Sequence, residues 1–334
     1  MNTDKPILQL MDDFLANQDI RENSRRKYRD NLHFFINWLT RNADVMEPKR
    51  SDIIMYKKYL IESGRASMTV DNYLAPIRQF FKYLEESGIH ENIAAGIHSP
   101  KKYLGYRKGY LNPDQVSDLL ASINRDIITG QRDYAIINLM VRTGMRCIEV
   151  TRADNKDLRY ENNQWVIYLQ RKGHWDKDRA LGITNRVVSP IADYIRFANI
   201  NDVVELPGGA FTKLERKDHP LFCNHAYVSN GTRITPETIS KMVKRHLRAI
   251  GIDSSKISAH SLRHTAAITA LKNGAPLYDV QQMLGHRSSD TTQIYLRAIE
   301  EEKSREGTAV RLIDNAFKIT KKKGKSREIR PGIP

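Results

Sequence analysis

Cysteine is nearly absent from this chain of 334 residues: there are 2, Cys147 and Cys223, isolated from each other, with no CxxC pair. That spacing excludes a disulfide framework and a zinc ribbon and suits a reducing compartment. Long apolar runs are missing too. No stretch approaches the roughly 18 residues that a membrane-spanning helix needs. The opening MNTDKPILQLMDDFLANQ is acidic and amphipathic, not a basic segment leading into an apolar one, so it makes no signal peptide. These absences lead us to expect a cytoplasmic protein. Acidic residues are also short: Asp+Glu number 39 against Lys+Arg 54, a formal net charge of +15 with a pI near 9.7. Such a balance calls for a polyanionic partner, most simply nucleic acid; a solvated basic surface is the bland alternative.

What is present suffices for real cores. Hydrophobic residues make up 40% of the chain, and its length suits about two domains. The first hundred residues read as helices. Ile7, Leu10, Met11, Phe14 and Leu15 share one face at helical spacing. Ser24 is the expected cap of a second helix with Tyr28, Leu32, Phe35, Ile36 and Leu39 inward. Ser51 is expected to open a third helix through Glu62, and Thr69 a fourth, with Tyr73, Ile77, Phe80, Phe81 and Leu84 inward and Gly88 as its stop. Four helices with short connections make a bundle over residues 1–97. Arg25, Arg26, Lys27 and Arg29 lie on the outside of one helix, Arg78 and Lys82 on another.

Residues 98–110, HSPKKYLGYRKGY, read as a linker: they hold Lys101, Lys102, Arg107 and Lys108, a proline, two glycines and no acid. The basic and aromatic interleaving suits a strap over a phosphate backbone as well as it suits a plain solvated linker. Folded structure restarts over 111–317. Asn112, Pro113 and Gln115 form a helix start. Residues 132–141 read as a buried helix ended by Gly144. Residues 164–183 alternate apolar and polar residues on both sides of a Lys-Gly turn, a β-hairpin signal. Thr235 and Pro236 start a helix with Ile239, Val243, Leu247 and Ile250 on one face; Lys241, Lys244, Arg245 and Arg248 on the other are either a solvated face or a DNA groove contact. Residues 318–334 hold 7 bases against Glu328 alone and read as a basic tail. The expected fold is mainly α with a small β-sheet.

The stretch from Ser258 to Arg297 concentrates His260, Arg263, His264, His286 and Tyr295. Three histidines suggest a metal, but the HExxH glutamate is missing and Arg263 stands between the paired histidines, a cation beside a dication. No metal and no cofactor is expected. A phosphate explains more. Planar guanidinium groups match phosphoryl oxygens and stay charged at any working pH. Arg263 is one such clamp and Arg146, in RTGMRCIEV, the other; Lys172 at the hairpin tip can reach a leaving oxygen, and Tyr295 is the candidate nucleophile.

Taken in order, Arg146 within TGMR, Lys172 in RKG, His260 and Arg263 within AHSLRHTAA, and His286 within LGHRSSDTTQIY ending at Tyr295 resemble the tyrosine recombinases, or phage integrase family. The resemblance is strong from about residue 110 to 312 and matches the bundle only in type and position. It implies an N-terminal four-helix, SAM-like core-binding domain and an α+β catalytic domain. It also implies roles. Tyr295 attacks a DNA phosphodiester; Arg146, Arg263 and His286 stabilise the phosphorane; Lys172 protonates the leaving 5′-oxygen; His260 takes the tyrosine proton. Glu149 orients Arg146, against a plain helix-surface pair as its other reading. His264 has no part in that set and is expected to be structural, and Cys147 to be small packing. Type IB topoisomerases share the chemistry, and a non-enzymatic DNA-binding accessory protein is a further reading; the LGHRSSDTTQIY box and the helical first domain favour the recombinase. With no arm-binding domain ahead of the bundle, a Xer-like or small-element recombinase is expected. The implied partner is a double-stranded DNA recombination site held in a two-domain clamp by a homo-tetramer that is monomeric in solution. Residues after Tyr295 (Val310, Leu312, Ile313 and Phe317 apolar) pack either on their own domain or on a neighbour.

Overall fold

The computed structural model describes residues 6–100, 109–171, 174, 176–198, 219–226, 230–305 and 307–317. Lys101, Lys102, Arg107, Lys108, Lys172 and the tail 318–334 therefore lie outside the described residues. The chain divides into two compact units, residues 1–104 and 105–334.

The first unit is built on four helices, α1 (Ile7–Ala16), α2 (Glu22–Asn42), α3 (Arg50–Glu62) and α4 (Ser67–Glu86). The predicted inward stripes are the core: Leu10, Phe14, Leu32, Phe35, Leu39, Ile77, Phe80 and Phe81 are buried and packed together, with edge-on rings between Phe14 and Phe80 and between Phe80 and Phe81. The helix starts differ from expectation. Ser24, Ser51 and Thr69 all lie inside the first turn rather than capping it; α2, α3 and α4 begin two, one and two residues earlier. Acidic side chains account for two of these shifts. Glu22 sits at the positive start of α2, and Asp52 Oδ2 accepts the Lys49 amide at 2.8 Å in α3.

The second unit opens on α5 (Pro113–Ala121), whose start follows the sequence: Asn112 accepts the Gln115 amide at 2.8 Å and Gln115 accepts that of Asn112 at 3.0 Å. Helix α6 (Ile128–Thr143) is buried along most of its length and ends on Gly144 at φ 65°. Helix α7 (Cys147–Arg152) follows. A three-stranded antiparallel sheet stands beside them in the order β1 (Leu158–Glu161), β2 (Gln164–Leu169), β3 (Arg179–Ile183). Strand β1 escaped the sequence reading. It pairs with β2 through a two-residue turn, Asn162 and Asn163, both left-handed at φ 49° and 65°. Strand β2 pairs with β3 from Trp165–Ile183 to Leu169–Arg179. Helices α8 (Asn185–Phe197) and α9 (Pro236–Ala249) close the core around Ile137, Ile167, Ile191 and Leu247. Helices α10 (Ala259–Lys272), α11 (Leu277–Leu284), α12 (Asp290–Arg305) and α13 (Thr308–Phe317) complete the unit. A smaller cluster of Ala267, Ile268, Val280, Leu284, Tyr295 and Ile299 holds α10, α11 and α12 together. The side chains of Val310, Leu312, Ile313 and Phe317 on α13 are exposed.

Candidate active site

Arg263 lies in the first turns of α10, 1% exposed. Two helix ends meet it. Its Nη1 donates to the Gly144 carbonyl at the end of α6 (2.6 Å), and its Nη2 to the Leu284 carbonyl at the end of α11 (2.7 Å). Carbonyls at helix C-termini carry partial negative charge and need donors, so a buried guanidinium suits both at once. Gly144 makes that approach possible: its left-handed φ is open to glycine, and a Cβ there would stand 2.5 Å from Leu284 Cδ2.

Arg146 precedes α7. One carboxylate both caps that helix and grips the guanidinium: Glu149 accepts the Arg146 amide at 2.8 Å and Arg146 Nη1 at 2.7 Å, and is itself 0% exposed. Arg146 keeps 26% of its side chain in solvent. A third cation, which the sequence reading missed, is Arg179 at the head of β3. It approaches Glu149 to 4.0 Å and donates to the carbonyls of Gln282 (3.2 Å) and Met283. Its guanidinium fills the space beside Gly285, the left-handed residue that ends α11 and turns the chain into His286; a Cβ there would meet Arg179 Nη1 at 2.8 Å. So β3 is tied directly to the His286 turn.

Arg146 and Arg179 thus meet at the carboxylate of Glu149, whose charge is also felt by Arg263. The surplus positive charge is felt throughout. Burial, then the Arg146 charge, bring Arg263 down to about 10. Burial, then Arg263, Arg146, Arg179 and His260, hold His286 neutral down to about 3. His286 Nδ1 is 2.9 Å from the Thr292 hydroxyl, and its ring lies nearly parallel to that of Tyr295 at 6.3 Å.

Tyr295, on α12, is 1% exposed. Burial raises its phenol above the ordinary range, while Arg263 and then Arg146 pull the other way. The histidine against its hydroxyl is His264, with Nδ1 at 3.1 Å. His260 is exposed and sets its ring edge-on to His264 with centroids 4.6 Å apart. The i, i+4 pairing of these two histidines was legible in the sequence; the contact of His264 with Tyr295 was not. Cys147 is half-buried at the start of α7, and burial pushes its thiol up. Among the described residues, no three His, Cys, Asp or Glu side chains gather as a metal-ligand set, and no helix is long and apolar enough to cross a membrane.

The basic residues singled out for DNA divide. Arg26 and Lys27 on α2 are exposed and Arg29 half-buried. Arg25 is spent partly on its own unit, donating to the Leu15 carbonyl at 3.1 Å and the Gln18 carbonyl at 3.1 Å. Arg78 bridges Asp71 at 3.0 Å, and Lys82 pairs with Glu86 at 3.4 Å. On α9 each cation has an acid: Lys241 with Glu237, Lys244 and Arg248 with Asp253, and Arg245 with the buried Asp133 at 2.7 Å.

Comparison with known proteins agrees with this architecture. Residues 109–302 match the phage integrase family and residues 7–88 its N-terminal SAM-like domain. The chain is 29% identical to the tyrosine recombinase XerD of Listeria innocua serovar 6a over 297 residues, 86% of this chain and 93% of that one. It is 29% identical to the tyrosine recombinase XerD of Yersinia pestis over 300 residues, 89% of this chain and 94% of that one. In fold it is similar to the XerH site-specific recombinase bound to palindromic difH substrate in its post-cleavage complex (TM-score 0.63, 21% identity, 86% of this chain and 79% of that one). It is also similar to the Tn1549 transposon integrase in complex with transposon right end DNA (TM-score 0.66, 16% identity, 90% and 99%). The chain belongs to the phage integrase family. It is a tyrosine-type site-specific DNA recombinase, an enzyme that breaks and rejoins DNA strands, and the topoisomerase reading finds no support.

Proposed function

We propose that Tyr295 is the nucleophile. Its oxygen attacks a phosphodiester; the O–P bond forms as the P–O5′ bond breaks, leaving a 3′-phosphotyrosyl link and a 5′-hydroxyl. The observation that carries this reading is the surplus positive charge near Tyr295: Arg146 and Arg179 share the Glu149 carboxylate, the Arg263 charge acts on Tyr295 as well, and burial followed by these arginines holds His286 neutral. A phosphate supplies the missing negative charge, and more of it as the phosphorane forms. Arg146, Arg263 and His286 are the clamp, with Glu149 holding Arg146. Lys172, on the β2–β3 connection, delivers a proton to the leaving 5′-oxygen, and His260 receives the tyrosine proton on the way to solvent. A positioned acid or base contributes about 10²–10⁴ in rate. The bond energy stays in the phosphotyrosine, so a 5′-hydroxyl from the partner duplex reseals the strand without ATP or metal.

In this reading residues 1–97 form a DNA-binding bundle, 98–110 a strap, 111–317 the catalytic domain and 318–334 a basic tail. Among the described residues, Arg26, Lys27 and Arg29 are the DNA-facing cations with fewest internal partners; Arg25, Arg78, Lys82, Lys241, Lys244, Arg245 and Arg248 contact phosphate only by sharing or releasing theirs. Four strand cleavages require four nucleophiles, hence a tetramer on DNA. In solution a chain of net charge +15 repels its copies and stays monomeric in the cytoplasm. Tyr295→Phe tests the assignment: it binds duplex DNA with unchanged affinity and leaves no covalent adduct after denaturation. An adduct formed by that variant refutes the role of Tyr295.

A further inference from the structure

His264 has no place in the scheme above, yet its Nδ1 faces the Tyr295 hydroxyl. Its Nδ1 lies 3.1 Å from the phenol oxygen, and the two rings meet at 5.4 Å between centroids. Both residues are out of solvent, at 4% and 1% exposure. The Arg263 charge acts on the same phenol and favours its oxygen as the electron-rich end. The O–H hydrogen can then turn to Nδ1 of His264, the nitrogen 3.1 Å away.

This arrangement matters because a tyrosine side chain on a helix swings about two torsions. Packing of α10, α11 and α12 holds the ring and with it the oxygen on its axis, but leaves the O–H hydrogen free to rotate. A buried hydroxyl without an acceptor loses stability, and so seeks one. His264 supplies that acceptor from α10, the helix that also carries Arg263, so the nucleophile and one phosphate clamp are registered against the same backbone.

We propose that His264 is the positioning residue of the nucleophile: its Nδ1 accepts the Tyr295 hydroxyl and holds that oxygen against Arg263 between α10 and α12. The proposal rests on Tyr295 being the nucleophile. His260, edge-on to His264, then acts on a proton already directed toward the histidine pair.

The test uses the full chain and a nicked duplex substrate that traps the covalent complex. His264→Leu keeps the bulk and removes the nitrogen; His264→Asn places an amide oxygen where Nδ1 stood. His264→Leu lowers single-turnover cleavage at saturating DNA by about tenfold, the worth of one buried hydrogen bond at the reacting atom, with unchanged DNA affinity. In the absence of DNA it also raises acetylation of Tyr295 by N-acetylimidazole, read peptide by peptide in a mass spectrometer. His264→Asn restores both to near the unsubstituted protein. Leucine working as well as histidine in both measurements overturns the proposal, as does asparagine failing as badly as leucine, because ring shape and not the nitrogen is then what counts. A measurement without any change at His264 guards against misfolded variants: the His264 Nδ1 resonance shifts when Tyr295→Phe removes the hydroxyl, and an unmoved resonance overturns the proposal equally. Failure of the underlying reading looks different. There the unsubstituted protein carries its DNA adduct on a residue other than Tyr295; adduct on Tyr295 with no dependence on His264 sinks this inference alone.

Discussion

Replacing Glu149 with glutamine removes the negative charge that pairs with Arg146 and Arg179 and is felt by Arg263. The carboxylate is 0% exposed and accepts both the Arg146 amide, at 2.8 Å, and its guanidinium, at 2.7 Å, with Arg179 at 4.0 Å. Glutamine has the same shape but only one accepting oxygen, so one of the two Arg146 donors faces an NH₂ group. Breaking a fully buried ion pair costs about 3–5 kcal/mol. Arg146 keeps 26% of its side chain in water and can be solvated once released, so we discount this to about 2–3 kcal/mol, roughly one charge-assisted hydrogen bond plus the added repulsion among the arginines. Urea unfolding followed by circular dichroism reads the loss as an earlier transition of the unit holding α7. The same charge argument makes a second demand. Sulfate can stand in for the lost carboxylate, so it stabilises Glu149→Gln more than it stabilises the unsubstituted protein. A variant within about 0.5 kcal/mol of the unsubstituted protein, the range of ordinary surface changes, refutes the claim that Glu149 is the counter-charge of the cluster. Equal stabilisation of both proteins by sulfate refutes the claim that the cluster awaits an anion.

Gly144→Ala combines a left-handed backbone with a Cβ 2.5 Å from Leu284 Cδ2; the two together cost about 2–4 kcal/mol in urea unfolding and displace the carbonyl that holds Arg263, so strand cleavage falls further than stability alone predicts. An unchanged unfolding midpoint contradicts the packing described. His286 has its pKa lowered to about 3 from 6.5 by burial and the neighbouring arginines. The unfolded chain therefore binds a proton that the folded chain refuses between those values, so His286 makes stability fall as pH drops from about 6.5 toward 3. In nuclear magnetic resonance its ring stays neutral through pH 5 without DNA, and its pKa rises when duplex DNA places a phosphate among the arginines; a ring titrating near 6.5 in the DNA-free protein refutes that environment. Deleting residues from Ala309 onward removes the exposed apolar side chains of α13. It leaves cleavage of a single site intact and abolishes pairing of two sites, measured by recombination of a two-site plasmid. Full recombination by the shortened chain shows that α13 does not dock on a neighbour.

How much of this was legible in the sequence depends on the distance over which each signal acts. The cores of α1, α2 and α4 were readable because a buried stripe repeats every three or four residues and says nothing about which neighbour it meets. The α5 cap and the Gly144 stop were readable because they are satisfied within a few residues. Strand β1 was not. It is four residues long, too short to show an alternation, and its turn uses two asparagines where a glycine would have announced it. Arg179 lay inside a stretch read as a hairpin, but its partners are the carbonyls of Gln282 and Met283, a hundred residues further on; nothing local marks it among the other bases of that hairpin. The histidines show the boundary most sharply. His260 and His264 lie four apart, so their common face followed from helix geometry alone, and their rings do meet. Arg263 and His264 are adjacent, hence about 100° apart around α10, and cannot both point at one small target from the same side. His264 was expected to be structural on a different ground, that it has no part in the family's residue set, and that ground says nothing about which residue another helix brings to it. Tyr295 arrives from α12 and sets its hydroxyl 3.1 Å from His264 Nδ1, while the Arg263 charge acts on the same phenol. Adjacent helical residues can share a target when that target is brought by a second helix into the sector between them, and only the tertiary packing of α10 against α12 says that it is.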